Sequence, residues 1–144
     1  MANVRQVTPQ AMDIIVTGTL TASAAAGSVF TGNIETMAGS STTSKEVVPG
    51  DQAWHIESII NGGSDPTPDC RVELVVNGWV QPFTPSMLVI NQADFGRMKL
   101  PRTIMLGPAG NLQVRFRNLA AVGTDAVAVE VHLQVMVWPR QQLA

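Results

Sequence analysis

The chain contains two histidines, and each has a carboxylate two positions away: His55 with Glu57, and His132 with Glu130. Alternate residues of a β-strand project from one face, so either pair would present two metal ligands side by side. Two ligands are too few for a stable site, and neither histidine lies in a His-x-His pair with a downstream Glu. The simpler reading is a polar position on the outer face of a strand. Asp65 and Asp69 bracket a loop whose oxygens would suit calcium, but the ligand spacing of a dedicated site is missing and Pro66 and Pro68 stiffen the segment. No glycine-rich phosphate cradle opens a helix, and Gly-x-Ser-x-Gly does not occur. The lone Cys70 rules out an intramolecular disulfide and a multi-cysteine metal site, and it suits a protein made in a reducing cytosol. The expectation is therefore no catalytic residue, no metal and no cofactor.

Binding is the more open question. The aromatic residues number seven, three Trp and four Phe. Trp54 and Trp138 fall where a core or a subunit contact would want them. Trp79, next to Asn77-Gly78, is the best candidate for a ring exposed to a sugar, with Asn77 beside it. The competing reading for Trp79 is a ring packed across a strand pair.

Only 14% of the 144 residues are charged, against about 25% in an ordinary soluble domain. Charge is depleted at interface cores, so the deficit fits either a surface covered by copies of the same chain or a neutral, Thr-rich β-domain. The net charge of −2 is unevenly placed. Residues 1–94 hold three bases and nine acids (net −6), and residues 95–144 hold six bases and two acids (net +4). Such asymmetry would suit a nucleic-acid surface or faces that pair head to tail between subunits. Strands of the two halves interleaving in space would erase it, and the acidic pI of about 5.5 argues against nucleic acid. There is no secretory signal pattern at Met1-Ala2-Asn3-Val4-Arg5-Gln6, and no apolar run approaches the length of a membrane span. A non-secreted protein without a membrane partner is expected.

The elements that would carry these residues read as strands. Ala126 to Trp138 alternates almost without interruption, with Val127, Val129, Val131, Leu133, Val135 and Val137 on one face. Its length predicts a central strand with partners along both edges. Ile14 to Thr21 alternates likewise, and Val29 to Met37 reads as an irregular edge. Pro49-Gly50 has type II turn chemistry, with glycine at positive φ, and feeds a strand in which Trp54, Ile56, Ser58 and Ile60 share one face. Asn77-Gly78 between Arg71–Val76 and Trp79–Phe83 is a type I′ hairpin signal, and Pro82 and Pro85 place the second strand short or on an edge. Met87 to Ile90 reads as a short strand, Met98 to Leu106 as a strand interrupted by Pro101, and Leu112 to Arg117 as a strand following the Gly107–Asn111 turn. Short strands at regular spacing predict an all-β antiparallel sandwich, jelly-roll-like, of about eight strands and without a substantial helix. Residues 1–12 read as a polar N-terminal arm, 13–139 as one sandwich domain and 140–144 as a C-terminal tail.

The polar arm, the turn Val48-Pro49-Gly50 into Trp54-His55-Ile56, the turn Gly107-Pro108-Ala109-Gly110-Asn111 into Leu112-Gln113-Val114, and the long last strand together resemble the small jelly-roll structural proteins of bacteriophage virions. These include minor capsid, spike and head decoration proteins, and the resemblance covers residues 14 to 138 as a style of sequence. It implies a non-enzymatic virion protein that assembles as a homo-oligomer, commonly a trimer, on a major capsid protein at the capsid surface, after synthesis in the host cytoplasm. Contacts to subunit or capsid are then expected at Val4, Arg5, Val7, Met136, Trp138 and Arg140, because the ends of the last strand's outer face are too apolar for a solvent face. The alternatives are a carbohydrate- or receptor-binding sandwich centred on Trp79 and Asn77, and a metal-dependent cupin-like enzyme.

Overall fold

The computed structural model describes residues 8–35, 42–62, 67–93 and 96–139. Strand β11 (Val127–Pro139) is flanked on both sides, by β1 (Gln10–Leu20) and β6 (Gln52–Asn61), as its length and alternation predict. Its inward residues Val129, Val131, Leu133 and Val135 are all buried. β1 begins at Gln10, opposite Val137, so residues 10–12 of the expected arm belong to the sheet.

The remaining strands are β2 (Val29–Thr31), β3 (Asn33–Glu35), β4 (Thr42–Thr43), β5 (Glu46–Val47), β7 (Cys70–Val76), β8 (Trp79–Val80), β9 (Arg97–Leu106) and β10 (Asn111–Asn118). They form an antiparallel β-sandwich. One sheet runs β4-β3-β1-β11-β6-β9, and the other runs β2-β10-β7-β8 with β5 also paired to β10. The connectivity has an internal logic: β1 with β11, β2 with β10, β6 with β9 and β7 with β8 pair as one folded-back ribbon would. The strands of that ribbon alternate between the two sheets, so each sheet draws on both halves of the sequence. Trp54 and Phe116, from opposite sheets, are fully buried at the centre of the core.

The chain changes sheets between β2 and β3 at Gly32. A Cβ there would lie 2.6 Å from Val16 Cγ1 and 3.0 Å from the Val114 carbonyl oxygen, so only glycine fits the corner. The Asn77-Gly78 hairpin has both residues at positive φ, 50° and 83°, as a type I′ turn requires. Its second strand, β8, is two residues long and lies at the sheet edge ahead of Pro82.

Three local expectations are corrected. First, Met87 to Ile90 is not a strand: it begins helix α1 (Met87–Gln92), capped by Ser86, whose Oγ accepts from the Val89 N–H at 3.2 Å. Met87 and Ile90, three apart, are buried while Leu88 and Val89 are exposed, a helical phase that four apolar letters cannot reveal. Second, β6 carries an irregularity at Glu57, where Ile56 opposes Val135 and Ser58 opposes the adjacent Gln134. The extra residue reverses the alternation, so Ile59 enters the core opposite Leu133, while Ser58 and Ile60 take the register of the outward Gln134 and His132, with Ser58 nonetheless fully buried. Third, Gly50 is not at positive φ. The turn is closed from the Gln52 N–H to the Pro49 carbonyl, which makes Pro49 its first residue rather than its second.

Candidate functional site

Register determines what shares the outer face of the six-stranded sheet. Ala11, Met136, His55 and Met105 stand in one cross-strand row, and Trp138 and Ala53 in the next. The His55 and Trp138 rings pack at 5.7 Å with a 41° tilt. Met136 and Trp138 are half-buried, and Met105, on the edge strand β9, is 68% exposed. Trp138 Nε1 is buried with no hydrogen-bond partner among the described residues. The start of β1 lies beside the end of β11, at this end of the sheet. Val4, Arg5, Val7 and Arg140, expected at the same contact, lie outside the described residues.

His132 stands four positions along β11 from Met136, about 13 Å by strand rise, so the two histidines are not brought together. The Nε2 of His132 lies 3.3 Å from Glu130 Oε2. Among the described residues no three His, Cys, Asp or Glu side chains gather as a metal-ligand group. In the Asp65 to Asp69 loop, residues 63–66 are outside the described residues, and Asp69 is exposed. Cys70 is buried in the core. Burial, with the Asp69 carboxylate adding to it, pushes its thiol up to about 12, so it is no nucleophile at neutral pH.

At the opposite sheet, the hairpin tip holds Asn77 in place and leaves Trp79 free. Asn77 Oδ1 accepts from the Asn111 N–H at 2.8 Å, and the Asn77 N–H donates to the Asn111 carbonyl at 3.0 Å. These bonds fix the turn against the start of β10. Trp79 is 78% exposed, which excludes cross-strand packing as the role of its ring. Glu46, on the neighbouring β5, has its carboxyl raised above the usual range by burial.

A second cluster on this sheet was not among the expected site residues. Glu73 projects from the outer face of β7 yet is only 7% exposed. Arg117 Nε donates to its Oε2 at 3.0 Å, and Arg115 Nε lies 3.9 Å from its Oε1, too far for a hydrogen bond. Both Glu73 Oε1 and Arg115 Nε are buried and make no hydrogen bond among the described residues. The sequence signal was present in the acid-free interval that holds Arg115 and Arg117, but nothing local says that β10 pairs with β7.

No protein-family model and no curated protein matches the chain. Among the described residues no helix is long and apolar enough to cross a membrane.

Proposed function

We propose that the chain is a non-enzymatic structural protein of a virus particle, a capsid decoration or minor capsid protein that assembles as a homo-oligomer, a trimer above all, on the major capsid protein of a phage head. The observation that carries this reading is the strand order. With β1, β2, β6, β7, β8, β9, β10 and β11 taken as eight successive strands, the two sheets read 1-8-3-6 and 2-7-4-5. We read that order as the connectivity of a jelly roll, an eight-stranded ribbon folded on itself and wrapped into two sheets. Fold analogy supplies the step from jelly roll to virion. Two further features support it: the scarcity of charge, and an outer sheet face that places Met136, Met105, Trp138 and Ala53 together around His55. Light scattering on the protein eluting from a size-exclusion column is expected to give the mass of a stable oligomer. A stable monomer across the accessible concentration range would remove the reading.

The second reading, a carbohydrate- or receptor-binding module, is favoured by one observation, the exposed indole of Trp79 on a rigid hairpin. An aromatic face held in place at a loop tip is suited to stacking on a sugar ring. Glycan-array binding that disappears in Trp79→Ala would establish it in place of the first.

A further inference from the structure

Of the strands that end the two sheets, β2, β4, β5 and β8 are two or three residues long, whereas β9 runs for ten. A strand at a sheet edge offers its outer N–H and C=O groups to any chain that can add to it, and shortness, basic side chains and proline are the usual protections. The first part of β9 has such protections in Arg97, Lys99, Pro101 and Arg102. Its last four residues, Thr103-Ile104-Met105-Leu106, hold neither charge nor proline. The register marks the division: Ser58 opposes Lys99 and Ile56 opposes Ile104, so residues 100–103 face Glu57 alone and must bulge from the ladder, which resumes at Ile104. β1 also runs past its short partner β3, over residues 10–15, but carries the exposed Asp13 in the middle of that stretch.

The side chains along β9 say what would fit there. Met105 is 68% exposed and ends the outward row of Ala11, Met136 and His55. A strand added beyond β9 would set an outward side chain about 4.8 Å from Met105, and an apolar one would continue the row. Before the bulge, Arg97, Lys99 and Arg102 are exposed and make no ion pair among the described residues. Glu57 is the one acid of β6, and β9 has none, so three bases against one acid leave this end of the edge at +2. β9 therefore runs from a basic end to an apolar end.

We propose that the β9 edge is a docking site for an extended segment of a different polypeptide, which adds as an antiparallel strand along residues 103–106, apolar where it passes Met105 and acidic where its C-terminal part reaches Arg102, Lys99 and Arg97. Backbone hydrogen bonds would supply the affinity of such a strand addition, and the side-chain matches its specificity. The chain's own terminal segments do not fit this edge: residues 1–7 and 140–144 contain Arg5 and Arg140 and no acid. The occupant is another polypeptide for that reason. One copy suffices for the contact, so it stands apart from the homo-oligomer reading.

The test uses a defined probe, the fluorescein-labelled peptide Thr-Val-Thr-Val-Thr-Gly-Glu-Glu-amide, with anisotropy for affinity and hydrogen exchange for location. Binding with a Kd of about 0.1 mM or tighter is expected, with new amide protection at residues 103–106. Met105→Lys, at an exposed position, places a charge on the open part of the edge and is expected to weaken binding by about tenfold or more, with circular dichroism checking the fold. Lys99→Glu/Arg102→Glu is expected to weaken it similarly, and a peptide ending in two lysines is expected to prefer that variant over wild type by about tenfold. Replacing the second valine of the peptide by proline removes a ladder donor and is expected to abolish binding. Failure of the acidic peptide to bind, or protection that maps to residues 10–15 or to the Trp79 tip instead, overturns the proposal. So does protection of residues 103–106 in the protein alone: if it grows with concentration the occupant is a second copy, and if it does not the occupant is a segment of the same chain. None of these outcomes depends on the oligomeric mass, which light scattering reads separately.

Discussion

Arg117 Nε and Glu73 Oε2 meet at 3.0 Å across β10 and β7, and the carboxylate they share with Arg115 is almost entirely buried. The two partners are unequal: the Arg117 side chain keeps 40% of its exposure and the Glu73 side chain 9%. Removing the arginine strands a desolvated charge, whereas removing the carboxylate leaves guanidinium groups that water can reach. Arg117→Ala is therefore expected to destabilise the fold by about 2 kcal/mol, and Glu73→Leu by about 1 kcal/mol or less. Urea denaturation of the two variants gives the order directly, and equal losses would show that the carboxylate is not effectively buried.

Two glycines are fixed by space. A Cβ at Gly18 would lie 2.7 Å from the Phe116 ring, and one at Gly32 would lie 3.0 Å from a backbone oxygen as well as 2.6 Å from Val16. Gly32→Ala is expected to cost about 3 kcal/mol, since the sheet-changing corner cannot shift without moving β10. Gly18→Ala is expected to cost about 2 kcal/mol and to be partly relieved by Phe116→Leu, because its obstacle is a side chain. Thermal unfolding of the single and double variants checks both, and the absence of coupling between positions 18 and 116 would contradict the packing.

What the sequence reveals of this fold follows the range over which each feature is encoded. β11 and the Asn77-Gly78 hairpin are legible because alternation and turn chemistry act within a few residues. The β6 irregularity is not, because Trp54 to Ile60 holds apolar residues in both phases and one inserted position decides which enter the core. Helix α1 is hidden for the same reason, its phase being carried by Ser86 and by burial of Met87 and Ile90. The Glu73 cluster depends on a strand pairing between residues 44 positions apart in the chain, beyond any local pattern. At the candidate sites, the apolar outward parity of Met136 and Trp138 could be read in advance, whereas the contact of Trp138 with His55 required the β11–β6 register.

Cys70 links burial to pH. Its thiol is raised to about 12 in the folded chain, above the unperturbed value, so folding favours the protonated form. The resulting stabilisation is fully present below the ordinary thiol value of 9.0 and is lost as pH rises toward 12, because the unfolded chain releases its proton first. The span corresponds to at most about 4 kcal/mol over the whole window. Between about pH 8 and pH 11, wild-type stability in urea is expected to fall more steeply than that of Cys70→Ala. Parallel slopes would show that the thiol titrates alike in both states.

The hairpin tip separates a structural role from a binding role within two adjacent residues. Gly78 sits at φ 83°, where a Cβ is strained, so Gly78→Ala is expected to cost about 1 kcal/mol although nothing lies within 4 Å of the added methyl. Trp79, exposed over most of its ring, makes no comparable contribution, and Trp79→Ala is expected to change stability by less than about 0.5 kcal/mol. A large indole kept at a loop tip without a folding role points outward, to whatever the tip meets. If Trp79→Ala leaves both stability and oligomeric mass unchanged but abolishes binding to a glycan array, the tip is a ligand site. If it lowers the oligomeric mass instead, the indole lies in a contact between copies. A loss of stability above about 1 kcal/mol would contradict the exposed ring itself.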